Sequence, residues 1–214
     1  MSGRGVAFAA FAAFLFAIIQ PSIAHGHLGH EVQTAERYLK VDFSDDHVRV
    51  VVSLMLGPLE ARRVLMVADR DSGDGDGELT TAEADAYMAR WGEGLVADLP
   101  IELDGEQVAV TWAEAYLDPT GPISARPATV EMVARLPLPE GQHRITLRDR
   151  MRRETFDRTD VAFRAREGAE LVAGGASESP EDRVPALAFA GDQGPDVLTA
   201  VADVPGPSAA PQSR

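Results

Sequence analysis

Between Asp69 and Glu83 the chain reads Asp-Arg-Asp-Ser-Gly-Asp-Gly-Asp-Gly-Glu-Leu-Thr-Thr-Ala-Glu. Acidic side chains recur at alternate positions, so a tightly curled loop can turn several of them inward together. Oxygen donors gathered this way suit a hard divalent cation, and calcium takes roughly six to eight oxygens at about 2.3–2.6 Å. Gly77 allows the sharp bend that a Cβ would obstruct. Glu83 falls in the first turn of a following helix, where it can close the shell with both oxygens. Counting back from Glu83 as the twelfth loop position puts Gly77 at the sixth, Asp76 at the fifth, Asp74 at the third and Ser72 at the first. Glu78 then offers its backbone carbonyl. The other register starts at Asp69 or Asp71 and makes the loop longer than twelve residues. The candidate metal ligands are therefore Asp69, Asp71, Ser72, Asp74, Asp76, Glu78 and Glu83, with the first ligand open.

Such a loop must be positioned by the elements on either side. Val64, Leu65, Val67 and Ala68 end an incoming helical pattern. Leu79, Ala84, Tyr87, Met88, Trp91 and Leu95 recur at three- and four-residue steps and give the outgoing helix one apolar face. Thr80 or Thr81 can cap that helix. From about Leu59 to Leu99 the chain resembles the EF-hand family, a helix–loop–helix built around calcium. The resemblance implies calcium as the bound ion and a structural or regulatory role for it. EF-hands usually occur in pairs. The segments around Asp42–Asp46, Asp104–Gly105 and Asp192–Asp196 lack the alternating acids, glycine and distal glutamate of a second hand. The single hand must therefore lean on the rest of its own domain or on another molecule.

The ends of the chain speak to location. Arg4 precedes an apolar run from Val6 to Ile19, broken by Gln20-Pro21 and followed by Ser22-Ile23-Ala24. This is the layout of a secretory signal cleaved after Ala24. The run is shorter than a membrane-spanning helix requires, so no membrane insertion is expected after processing, and the protein is expected to be periplasmic or extracellular in a bacterium. Cleavage there leaves His25-Gly26-His27-Leu28-Gly29-His30 at the new terminus. A free amine, two backbone amides and an imidazole at the third residue form a tetragonal nitrogen set suited to Cu(II) or Ni(II), so His25, His27 and His30 are candidate Ni²⁺/Cu²⁺ ligands. The chain has no cysteine, and its net charge is −14. That acidity disfavours nucleic acid and anionic membrane surfaces as partners.

Outside the helices, alternation of apolar and polar residues predicts strands at Glu36–Phe43, His47–Leu56, Ile101–Leu103, Gln107–Trp112, Thr129–Leu136, His143–Arg148 and Asp160–Arg166. Asp104-Gly105 is a two-residue hairpin turn. The expected fold is mainly β with an α insertion: a β-sandwich-like domain (25–58 and 100–173) carrying one EF-hand insertion (59–99). The signal peptide (1–24) precedes it. Gly, Ser and Pro enrichment suggests a disordered tail over 174–214 with a short ordered piece at Pro185–Ala190. Arg148, Arg150 and Arg152 alternate and would share a solvated strand face paired with acids.

Ala24-His25, His27-Leu28-Gly29, the strand Val48–Leu56, the acidic loop and the stretch Arg144–Arg166 together resemble a second family. This is the extracytoplasmic N-terminal domain that precedes the membrane helices of some bacterial nickel/cobalt transporters. Gly26-His27 stands where that domain usually has a proline after its leading histidine, and no membrane helices follow in this sequence. The resemblance implies metal capture and delivery beside a separate membrane transporter or another exported protein. No GxSxG, HExxH, cysteine nucleophile or phosphate loop occurs, so no enzymatic activity is expected. The leading expectation is an exported calcium-binding protein; the alternative is a nickel/cobalt or copper carrier using the histidine cluster.

Overall fold

The computed structural model describes residues 34–151 and 156–205. The signal segment, His25, His27, His30 and the last nine residues of the expected tail lie outside the described residues. The first hairpin forms as its alternation dictates. Strand β1 (Ala35–Phe43) pairs antiparallel with β2 (His47–Leu56), and Leu39, Val41 and Phe43 join Val48, Val50 and Val52 on one buried face. Gly57-Pro58 ends β2, and proline at the first helical position suits the start of α1 (Pro58–Ser72). A two-residue strand, β3 (Glu78–Leu79), separates α1 from α2 (Thr81–Asp98).

The chain then runs through β4 (Ile101–Leu103), β5 (Glu106–Gln107), β6 (Trp112–Asp118), β7 (Gly121–Pro122), β8 (Ala128–Pro137) and β9 (Gly141–Arg148). It ends with β10 (Arg158–Ala165), β11 (Glu170–Gly175), β12 (Ala186–Ala190) and β13 (Val197–Val204). A six-stranded sheet has the order β12-β10-β1-β2-β8-β6 and a five-stranded sheet the order β11-β13-β9-β4-β5, while β3 pairs with β7 alone. The architecture is mainly β with a helical insertion, as expected. Inward residues of both sheets, among them Val130, Met132 and Phe163 on one and Ile145, Leu147 and Leu198 on the other, share one apolar core. Ala61, Leu65 and Ala68 of α1 and Ala84, Met88 and Leu95 of α2 enter that same core, so the helical insertion is packed into the domain.

Three expectations are corrected. Residues 174–204 are not a disordered tail: they complete β11 and form β12 and β13. β13 lies between β11 and β9, hydrogen-bonded on both sides, with Leu198, Ala200, Ala202 and Val204 turned inward. Half of that inward row is alanine, so its apolar signal is weak. Pairing of its backbone on two sides orders the segment more than side-chain hydrophobicity does. The return strand expected at Gln107–Trp112 is also wrong. β5 stops at Gln107, and β6 begins at Trp112 in the other sheet, beside β8. The alternation there straddles a crossing between sheets, which a period-two pattern does not report. Of the alternating arginines, Arg148 engages Glu102 and Glu178; the shared strand face is corrected, because β9 ends at Arg148 and leaves Arg150 beyond it, and Arg152 lies outside the described residues.

One ion pair ties the sheets together. Arg37 on β1 and Asp149, just past β9, are both fully buried. Nη1 donates to Oδ1 at 3.0 Å and Nη2 to Oδ2 at 2.6 Å, the two-pronged geometry that best offsets desolvation. Nε reaches Thr159 Oγ1 at 3.3 Å, and the guanidinium carbon lies 4.9 Å from the Phe156 ring centre. Removing one partner strands a buried charge. Asp149→Ala is therefore expected to lower unfolding free energy by about 3–5 kcal/mol, whereas Arg37→Met with Asp149→Leu should recover most of the loss. Urea denaturation of the three proteins checks this, and equal losses in the single and double variants would contradict it.

Candidate cation site

The acidic loop starts inside α1 rather than after it. Ala61, Leu65 and Ala68 sit on the buried face of that helix, and Asp69 follows them inward, 3% exposed. A buried carboxylate needs donors, and the loop supplies them from its backbone. Gly75 N–H donates to Asp69 Oδ1 at 3.1 Å and Gly77 N–H donates to Oδ2 at 3.0 Å. Both glycines have positive φ, +73° and +90°, a conformation that L side chains resist. The chain thus curls around one carboxylate. Asp74 Oδ1 accepts from Asp76 N–H at 3.2 Å, and Asp76 Oδ1 accepts from Glu78 N–H at 2.8 Å.

This curl gathers Asp69, Asp74 and Asp76, with a carboxylate oxygen of each within 4.8 Å of the others. The first of the gathered acids is Asp69, not Asp71 or Ser72. Asp71 turns aside to Arg70, Nε to Oδ1 2.8 Å, and that hydrogen bond holds its carboxyl below the usual range. Ser72 Oγ accepts from Arg90 on α2, whose Nη2 also reaches the Asp71 carbonyl at 3.2 Å. Arg90 therefore caps the end of α1, where a cation is favoured. This cross-helix contact has no signature in the sequence.

Glu83 has a different role from the one its position suggested. Thr80 and Glu83 form a reciprocal capping box: Glu83 N–H donates to Thr80 Oγ1 at 3.3 Å, and Thr80 N–H donates to Glu83 Oε2 at 2.7 Å. Thr80 Oγ1 also donates to Oε2 at 2.8 Å. The backbone hydrogen bond from Thr80, then the hydroxyl, then the Asp74 amide hold the Glu83 carboxyl below its ordinary value. The carboxylate fills the space where a side chain at residue 73 would start, since a Cβ added to Gly73 would lie 1.5 Å from Glu83 Oε1. Glu83 clasps the loop to α2, and its oxygens are not among the gathered acids. The Thr-x-x-Glu spacing was the signal for this clasp.

A two-stranded ladder holds the end of the loop. Glu78 pairs with Pro122 and Leu79 with Gly121, and Ile123 N–H donates to the Gly77 carbonyl at 3.0 Å. Hydrogen-bonded and non-bonded pairs alternate along an antiparallel ladder, so Glu78/Pro122 is the non-bonded pair. Proline is harmless there, having no N–H to lose. Both backbone groups of Glu78 then face away from β7. Its N–H is found on Asp76. Leu79, next along, is buried at 1% exposure and anchors the loop in the core. His47 and His143 lie on separate sheets, His47 beside Asp46 and His143 with Nδ1 2.8 Å from Asp104 Oδ2.

Three carboxylates form an all-oxygen set, of a kind that suits calcium or magnesium and is poor for metals that prefer thiolate or imidazole. No helix among the described residues is long and apolar enough to cross a membrane. No family model matches the chain, and no curated protein matches it. Among solved structures it is similar to the folded domain of LppM from Mycobacterium tuberculosis, solved by NMR. Identity is 10% across 85% of this chain and 96% of that one, with a TM-score of 0.32, a likeness too slight to assign a fold or an activity.

The capping box carries a pH signature. A carboxyl held low in the folded state adds stability above its unfolded value, about 4.3 for glutamate, and that contribution is lost as pH falls through the lower folded value. The drop in melting temperature between pH 6 and pH 3 should therefore be smaller in Glu83→Gln than in the wild type. Thr80→Ala should cost about 1 kcal/mol at neutral pH. Parallel thermal melts test both, and identical acid limbs in wild type and Glu83→Gln would remove the Glu83 assignment.

Proposed function

We propose that this chain is an exported calcium-binding protein, in which a β-sandwich-like domain carries one EF-hand-like helix–loop–helix. The observation that carries the reading is the convergence of Asp69, Asp74 and Asp76 to within 4.8 Å at the junction of two helices. Mutual repulsion of three close carboxylates is what a divalent cation relieves, and Glu78 would add its backbone carbonyl. Asp69, Asp74, Asp76 and Glu78 are the residues that would hold the ion. Glu83 would keep the loop closed over it.

The role is structural. A single hand whose helices are already buried in the domain core has little freedom to open a groove on binding, as paired sensor hands do. Outside the cell, calcium is plentiful enough to fill even a site with a dissociation constant of about 10⁻⁴–10⁻³ M. Export is supported by the signal-like layout from Arg4 to Ala24.

A ligand that binds only the folded state stabilises it by mass action, about 2.7 kcal/mol at a hundred times its dissociation constant. Calcium should raise the wild-type melting temperature, and Asp69→Asn should abolish most of the rise. The double variant Asp76→Ala/Glu83→Ala should abolish it too, through loss of one ligand and of the clasp. Calorimetric titration with Ca²⁺ and Mg²⁺ measures the same site directly. No heat and no thermal shift at millimolar calcium would end the proposal.

A further inference from the structure

The two large sheets end in β12, β6, β11 and β5. Three of these edges are blunted. β5 is two residues long and carries Glu106. β6 carries Glu114 and Asp118 and slips register between Trp112 and Glu114. β11 begins at Glu170 and slips register between Leu171 and Ala173. Its outer side is covered as well: Gly174 N–H donates to the Asp182 carbonyl at 2.9 Å, and the Gly174 carbonyl accepts from Val184 N–H at 3.2 Å. Brevity, charge, bulges and cover are the means by which an edge refuses another strand.

β12 has none of them. It reads Ala-Leu-Ala-Phe-Ala and pairs with β10 in unbroken register. Phe163 N–H donates to the Pro185 carbonyl at 2.9 Å, and Gly191 N–H donates to the Asp157 carbonyl at 3.0 Å. Bonded pairs recur at every second residue of an antiparallel ladder, so Leu187 and Phe189 also turn their backbone groups toward β10. The N–H and C=O of Ala186, Ala188 and Ala190 face the opposite way, off the edge of the sheet. They have no backbone partner among the described residues, and all three alanines are exposed. The side chains of Leu187 and Phe189 pack against the core but are only half-buried.

We propose that β12 is the surface through which two copies of this chain associate, antiparallel about a two-fold axis at Ala188, so that two six-stranded sheets become one. The edge is complementary to itself. Ala188 meets Ala188, and Ala186 meets Ala190, each pair exchanging two hydrogen bonds. On the core side, Leu187 of one copy meets Phe189 of the other in the closer, non-bonded pairing, an aliphatic–aromatic contact that favours the ladder. The same patch serves both copies, as a closed dimer requires. A five-residue strand makes a small interface, so the dimer is transient and concentration-dependent. Each copy carries a net charge of −14, so long-range repulsion opposes the contact and salt relieves it.

Sedimentation velocity between micromolar and millimolar protein should show the wild type passing from monomer to dimer, with added salt favouring the dimer. Ala188→Pro deletes the outward N–H at the axis and spares the ladder to β10, so it should stay monomeric. Ala188→Lys and Ala188→Glu keep every backbone group but set like charges directly opposite, and each should weaken the dimer by about fivefold. Mixed together, the lysine and glutamate variants should pair at least as well as the wild type. Tyr116→Lys, on the opposite edge of the same sheet, should change nothing. A wild type that stays monomeric at millimolar concentration overturns the proposal, whatever other strand the edge accepts. So does a dimer that folded Ala188→Pro leaves intact, or a lysine–glutamate mixture that pairs no better than either variant alone. If Ala188→Pro fails to fold, the charge-swap pair decides by itself.

Discussion

Asp69 sits at the inner face of the last turn of α1, where the alternation of buried positions carries it into the core. A carboxylate in that place is costly unless its oxygens are occupied. The nearest available donors are the amides of Gly75 and Gly77, and reaching them bends the chain into two left-handed steps. The shape of the acidic loop follows from that one requirement. Once the loop is curled, Asp74 and Asp76 have little choice of direction. Their own side chains accept the next amides along, and three negative groups are left facing one another.

The β scaffold holds this arrangement from the other side. Leu79 enters the core immediately after the loop, and β7 pairs with the backbone around it. Thr80 and Glu83 then start α2 with a closed cap, and Arg90 reaches back from α2 to the end of α1. Four separate constraints therefore converge within a short stretch of chain: a buried carboxylate, a buried leucine, a capping box and a cross-helix arginine.

The core beneath depends on a charge of its own. Arg37 and Asp149 join the six-stranded and five-stranded sheets through a buried, two-pronged ion pair, in which loss of either partner would strand a buried charge. Its geometry demands that β1 and the end of β9 meet in one register. The parallel pairing of β1 with β10 brings Thr159 beside the same guanidinium. The long return of the chain through β10 to β13 is thus tied to its first strand.

Local patterns made much of this visible in advance. The alternation of β1 and β2, the helical spacing around Leu65 and Met88, and the acids of 69–83 are properties of neighbouring residues, and they set the secondary structure and the chemistry of the loop. The remainder required distant residues to meet. No local rule distinguishes Asp69 from Asp71 or Ser72 as the first acid, because the choice depends on which side of α1 the core covers. The clasp of Glu83, the pairing of β3 with Gly121-Pro122, and the order of β13 within an alanine-rich stretch all depend on backbone and side-chain partners far along the chain. Side-chain type and periodicity act over a turn or a strand and are written in the sequence, whereas burial and hydrogen-bond partnership across the domain exist only once the chain has folded.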